Sequence, residues 1–195
     1  MDMKIFQIES NKIIPKQGRI LISSPFLNDY HFSRSVILLI EHDEQNSMGI
    51  VMNKNFKYSI TLNDLFPVID SHYKIPVYKG GPVSRDTLFF IHTLKNIKGS
   101  LPLGNGMYLN GNFEDVLEYI KKDNPIDGII KFFAGYAGWD NTQLDKEINQ
   151  NSWIVGLSNN YLLGNNYENL WNISLNSLGG KYSIWAKYPR FPYLN

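Results

Sequence analysis

Three short stretches hold most of the residues whose types and spacing can do chemistry. The first is Pro25-Phe-Leu-Asn-Asp29-Tyr-His31-Phe-Ser-Arg34. Arg34 there offers a two-pronged donor to a carboxylate or phosphate. A structural reading competes: Asp29 and Arg34 pair with each other or with backbone and pin a crossing between strands. The second stretch is Gly80-Gly81-Pro82-Val83. Two glycines permit positive φ and close backbone approach, so a nest of N–H groups can hold an anion. Equally, proline fixes φ in a tight turn between strands. No Gly-Lys-Ser/Thr follows, so the stretch is not a P-loop. The third runs Phe133-Ala-Gly135-Tyr-Ala-Gly138-Trp139-Asp140 into Gln143, Leu144 and Glu147. Trp139 beside small residues at a helix N-terminus reads as a ligand platform with an anion site, or as a core plug with the glycines as packing space.

Other chemistry finds less support. The histidines are His31, His42, His72 and His92. His42, Asp43 and Glu44 with His31 or His92 are candidate metal ligands, but the spacing fits no regular ligand pattern. Ser23, Ser24, Ser33 and Ser35 lie near histidines without a G-x-S-x-G elbow. Leu103-Gly104-Asn105-Gly106 lacks the third glycine and the opening helix of a dinucleotide fingerprint. A short helix over 142–150 is followed by a strand, so no recognition helix stands beside it. Lys181, Lys187 and Arg190 alternate with Tyr182, Trp185 and Tyr188. Such a tail can stack on single-stranded nucleic acid, though aromatic docking on its own domain is the preferred reading.

These residues need elements to position them. Short runs rich in β-branched and aromatic residues, bounded by Gly, Pro or Asn, predict strands at 19–23, 36–41, 49–53, 76–79, 87–92, 106–109, 129–134 and 152–156. Asn112 caps a helix over 113–123, with Val116, Leu117 and Ile120 as its apolar stripe and Pro125 as its stop. A second helix places Leu144 and Ile148 on one face, with Thr142 or Asp140 as its cap. A third runs from about 166 to 178, with Leu170, Trp171, Leu175 and Leu178 inward and Gly179 as a left-handed stop. A helical turn at 62–66 is cut off by Pro67. The interleaving is strand-rich early, which favours a mixed α+β sheet over a doubly wound parallel one. No internal repeat, linker or low-complexity block interrupts the chain.

The stretch from Gly18 to Asn53 resembles the start of the bacterial AlgH/YqgE family, whose pattern is roughly G-x-L-L-I-[AS]-x-P-x-L-x-D-x-x-F-x-R-S-V, a strand, then G-[LI]-V-x-N. Pro25, Asp29, Arg34 and Ser35 match it, and His42 falls where the family has His. Gly80-Gly81-Pro82-Val83 resembles the family's GGPV element. The Gly135–Glu147 stretch resembles G-Y-A-G-W-x-x-G-Q-L-x-x-E, with Thr142 where the family usually has Gly. The likeness covers roughly residues 16–178. It implies a compact α+β domain whose branched, strongly curved sheet closes into a pseudo-barrel flanked by helices. Residues 1–15 and 179–195 are then extensions of a single domain. The family carries the label of transcriptional regulator.

Composition narrows the function further. The 195 residues are 43% hydrophobic and 14% aromatic, enough for a sizeable core. A net charge of +1 lacks the basic excess that drives phosphate binding in dedicated nucleic-acid binders. With no cysteine, disulfides, thiol catalysis and Cys-ligated metal are excluded. The N-terminus is polar and no apolar run spans a bilayer. The expectation is a non-catalytic cytoplasmic binding or regulatory domain without cofactor or metal. Its groove is expected among Pro25, Asp29, Arg34, Ser35, Gly80, Gly81, Pro82, Gly135 and Trp139, for a protein segment or a small anionic ligand. Direct DNA binding is the alternative. A hydrolase is the second alternative and requires Asp29, His31 or His42 to converge.

Overall fold

A computed structural model describes residues 9, 11, 13–69, 74–140 and 142–189. His72 and Arg190, singled out above, lie outside the described residues, as does most of the stretch before residue 13. Among the described residues ten strands form one branched sheet: β1 (Arg19–Ser23), β2 (Val36–His42), β3 (Asn46–Val51), β4 (Ile60–Thr61), β5 (Pro76–Lys79), β6 (Val83–His92), β7 (Leu101–Gly104), β8 (Met107–Leu109), β9 (Ile130–Asp140) and β10 (Trp153–Leu157). The helices are α1 (Leu62–Leu65), α2 (Phe113–Lys121), α3 (Gln143–Asn149), α4 (Leu170–Leu178) and α5 (Gly180–Trp185), with 3₁₀ turns at Asn160–Leu163 and Tyr167–Asn169.

The hydrogen-bonded path runs β10-β1-β2-β3-β9-β6-β8-β7. It forks on β9. Along one edge of β9, Phe132–Ala134 pair in parallel with β5, while Ala137–Asp140 pair antiparallel with β3. Every other strand pair among the described residues is antiparallel. This is the mixed, bifurcated α+β sheet that the family resemblance implied. The sheet also curls. Gly18 sits so close to β7 that a Cβ would lie 1.9 Å from the Leu103 carbonyl oxygen. Asn105 Nδ2, beyond β7, donates to the Ser158 carbonyl at 3.0 Å, beyond β10. The two ends of the path therefore approach each other. The outer edge of β10 is met by Asn11, whose side-chain amide donates to the Val155 carbonyl (2.5 Å) and accepts from its N–H (3.1 Å). That covers an edge otherwise open to strand pairing.

Period-two alternation sorts the strand residues into separate cores. Ile20, Ile22, Leu38 and Ile40 face the interior of the curl with Phe133, Ile91, Trp171 and Trp185. Their neighbours Leu21, Ile37 and Leu39 face the other way, onto Trp139, Trp153 and the Leu144–Ile148 face of α3. A third cluster packs Val116, Leu117 and Ile120 of α2 against Phe90 and Phe132. Asn112 caps α2 by accepting from the Glu114 N–H at 2.8 Å, as its sequence predicts.

Several expectations are corrected. The expected strand 129–134 continues to Asp140, because Ala137–Asp140 pair with β3. β6 begins at Val83, not 87. β4 and β7 are short enough to leave no periodic trace. The third helix opens as a 3₁₀ turn and becomes α-helical only at Leu170. Gly179 has φ 67° but ψ −170°, so it is not a left-handed helical stop. It is a sharp corner after which α5 resumes. Neither Thr142 nor Asp140 caps α3 through a side chain; Thr142 instead takes the left-handed conformation (φ 57°, ψ −5°) at the family's glycine position.

Candidate functional site

The turn between β1 and β2 is built by its own polar residues. Asp29 Oδ1 accepts from the N–H groups of His31 (2.7 Å) and Phe32 (2.8 Å), closing an Asx turn. Its carboxylate is committed to backbone, not to Arg34. Arg34 has φ 52°, and Asn53 braces it: Asn53 Nδ2 donates to the Arg34 carbonyl (2.8 Å) while Asn53 Oδ1 accepts from the Val36 N–H (2.9 Å). The Arg34 guanidinium lies 4.6 Å over the Trp171 ring and donates to the Tyr188 carbonyl. It therefore ties α4 and the segment just after α5 to the turn. Ser35 is buried, with its N–H donating to Ser23 Oγ at 2.9 Å. Pro25 is half-buried at the start of the turn.

The glycines of the other two stretches meet at the fork. The Gly80 N–H donates to the Ala134 carbonyl and its own carbonyl accepts from Val51, so one residue stitches β9 to β3. A Cβ on Gly80 would lie 2.2 Å from the Gly135 oxygen, and one on Gly81 2.0 Å from the Tyr136 carbonyl group. Gly135 (φ 77°) sits where β9 changes partner from β5 to β3. Backbone approach this close leaves no room for side chains, and the Gly80 amide is already spent. Pro82 is half-buried and leads into β6. Of the two readings of this stretch, these contacts favour the tight backbone crossing over the anion nest.

Trp139 is buried and stacks on Phe32, with ring centroids 6.3 Å apart. Its Nε1 donates to Glu147 Oε2 at 2.9 Å, and the same oxygen accepts from Trp153 Nε1 at 2.7 Å. The ring is a core plug rather than a platform. Asp140 and Asp145 flank the start of α3, which disfavours an anion there.

All three stretches nonetheless come together. Phe32 of the turn rests on Trp139, and Lys79, next to Gly80, donates from Nζ to His31 Nδ1 at 3.4 Å. The surface above this meeting carries Tyr30, 90% exposed, with Lys79 Nζ 5.7 Å from its ring. Lys54 Nζ donates to the Ser33 carbonyl at 2.5 Å, bringing a further cation to the turn. Burial pushes the Lys79 ammonium below its ordinary pKa, and the nearby Arg85 charge adds to the effect. Among the described residues no carboxylate forms a salt bridge with Lys79.

The histidines do not assemble. His42 Nδ1 bonds Ser47 Oγ at 2.7 Å, whereas His92 is buried with Nε2 on the Asn110 carbonyl at 2.9 Å. Asp29 meets His31 only at its backbone N–H, while the His31 ring bonds Lys79 and the His42 ring bonds Ser47, so the three side chains do not converge. Among the described residues no group of three His, Cys, Asp or Glu is placed to hold a metal, and no helix is long and apolar enough to cross a membrane. The surface cations Lys79 and Arg85 were missed at the sequence level, as was Lys131, buried on β9. A lone lysine inside the apolar run Ile129-Ile-Lys131-Phe-Phe was the available signal.

Comparison with known proteins gives the chain's family and matches its fold. The sequence pattern of a family described as AlgH-like matches residues 20–183. A UPF0301 protein of Bacteroides fragilis is 46% identical over 192 residues, covering 98% of this chain and 97% of the relative. One from Bacteroides thetaiotaomicron is 44% identical, covering 100% and 99%. The crystal structure of a protein from Corynebacterium diphtheriae shares the fold, with a TM-score of 0.76, 22% identity and coverage of 96% and 98%. The solution structure of the AlgH protein from Pseudomonas aeruginosa has a TM-score of 0.66 at 25% identity, covering 92% and 98%.

Proposed function

We propose that this chain, which belongs to the AlgH-like family, is a non-catalytic cytoplasmic binding or regulatory domain that captures an anionic group. The capture surface is the one above the meeting of the three stretches. Pro25, Asp29, Arg34, Ser35, Gly80, Gly81, Pro82, Gly135 and Trp139 form its rigid frame. Lys79, Arg85 and His31 supply the contact, and Tyr30 offers a ring beside it.

One observation carries the reading. Lys79 faces a histidine, an aromatic ring and another cation, with no carboxylate salt-bridged to it among the described residues. A half-buried cation beside a like charge raises its own free energy, and an incoming anion relieves both terms. The anion can belong to a small molecule or to an acidic protein segment, because the recognising chemistry is the same.

Thermal unfolding with inorganic pyrophosphate and with an oligoglutamate peptide tests this. Saturable, salt-sensitive stabilisation that disappears in Lys79→Met and Arg85→Met supports the reading. Response to pyrophosphate favours a small ligand; response to the peptide alone favours a protein partner. No stabilisation by either, or equal stabilisation of the variants, overturns it. Duplex DNA in the same assay addresses direct DNA binding: tight, sequence-dependent association would replace the proposal.

A further inference from the structure

A second feature lies on the opposite face of β5. Tyr78 and Lys79 are strand neighbours, so their side chains point to opposite faces. Tyr78 lines a cleft of about 300 Å³ between β5, the loop before β9 and the 3₁₀ turn at Asn160–Leu163. Its walls are mainly apolar, from Ile75, Pro76, Ile126, Ile130 and Leu163, and Lys131 lines it as well. Lys131 is only 3% exposed.

The surroundings of Lys131 are unusual for a buried cation. Nζ donates to the carbonyls of Met52 (3.2 Å), Gly164 (3.3 Å) and Leu162 (3.5 Å). These are long, since charge-assisted bonds cluster near 2.7–2.9 Å. The Tyr78 ring sits 4.3 Å from Nζ. No carboxylate among the described residues forms a salt bridge with it, although Asp127 lies at the cleft. Buried charges are ordinarily paired. Desolvation brings the ammonium down to about 8, with Asp127 opposing the shift.

We propose that this cleft binds a small amphipathic monocarboxylate, its carboxylate on the Lys131 ammonium and its apolar body against Ile126, Ile130 and Leu163. A single buried cation matches a single negative charge, and apolar walls disfavour a dianion such as phosphate. Cleft size and mostly apolar lining with one polar anchor suit a small organic ligand.

Hexanoate is the probe, with acetate and hexanol lacking the body and the charge respectively. Methyl chemical shifts of the full chain should move at Ile126, Ile130 and Leu163, saturating with a Kd of about 1 mM. Acetate and hexanol should bind at least about tenfold more weakly. Lys131→Met should abolish saturation. Ile126→Trp should do the same by filling the cleft while Lys131 stays in place. Affinity should fall about tenfold or more from pH 8 to pH 9.5 as Lys131 loses its proton. The other titratable groups around the cleft are Tyr78, Tyr167, Asp127 and Lys74. The buried Tyr78 phenol is shifted upward by desolvation. Lys79→Met should leave hexanoate binding intact, which separates this site from the anion surface. Absence of saturation at tens of millimolar, equal binding by hexanol or by Lys131→Met, or shifts confined to other methyls would overturn the proposal.

Discussion

Replacing Lys131 by methionine sets two effects against each other, and their pH dependence tells them apart. In the wild type, bringing the ammonium from an ordinary pKa of 10.5 to about 8 corresponds to a folding penalty of about 3 kcal/mol at neutral pH. Methionine removes that penalty. It also leaves the carbonyls of Met52, Leu162 and Gly164 without their common donor, at about 1 kcal/mol or more each. The two terms are similar in size, so stability at pH 7 should change by no more than about 2 kcal/mol. The slope is more telling. An unfolded lysine keeps its proton up to 10.5, while the folded one releases it near 8. Between those values the unfolded state binds more protons, so stability rises with pH. The carbonyl loss is independent of pH. Wild type should therefore gain about 2.5 kcal/mol relative to Lys131→Met between pH 7 and pH 10, and level off only above the unfolded value of 10.5. Urea unfolding of both proteins at intervals from pH 6 to pH 10.5 measures the difference directly. Parallel curves, or a wild type that loses ground as pH rises, would refute the reasoning. The second result would mean that the carbonyls and the Tyr78 ring hold the charged form more firmly than burial disfavours it.

Two further substitutions probe α3 and its link to the buried tryptophans. Glu147→Ala should destabilise by about 2–4 kcal/mol, because it strips the shared acceptor from the indole N–H groups of Trp139 and Trp153; thermal unfolding and near-ultraviolet circular dichroism would register both the loss and the loosened tryptophans. Thr142→Gly should stabilise by about 0.5 kcal/mol, since a β-branched residue at φ 57° is strained where glycine is not; a lower unfolding midpoint in the variant would show that the Thr142 side chain contributes more than its strain costs.

Much of the fold was legible along the chain because it rests on local rules. Alternation in Ile20-Leu21-Ile22 and Val36-Ile37-Leu38-Leu39-Ile40 divides residues between two cores, and that division needs only the period of a strand. Asn112 capping α2, and Leu144 with Ile148 sharing one face, depend on residues a turn apart. The branched, curled sheet came from motif resemblance rather than from periodicity. Which strands flank β9, and that Gly135 marks the change of partner, are pairings between distant segments. The candidate site divides along the same line. Pro25, Asp29, Arg34, Gly80 and Trp139 were visible as unusual residues, but their work was not. Arg34 finds its partner carbonyl 154 residues away at Tyr188, Phe32 meets Trp139 across the fold, and Lys131 reaches a carbonyl 79 residues back at Met52. Local sequence determines which face each residue presents. Only tertiary packing decides whether a cation on that face meets an anion, a carbonyl or water, because the free energy of a charge is set by everything within a few ångströms of it, whatever its distance along the chain.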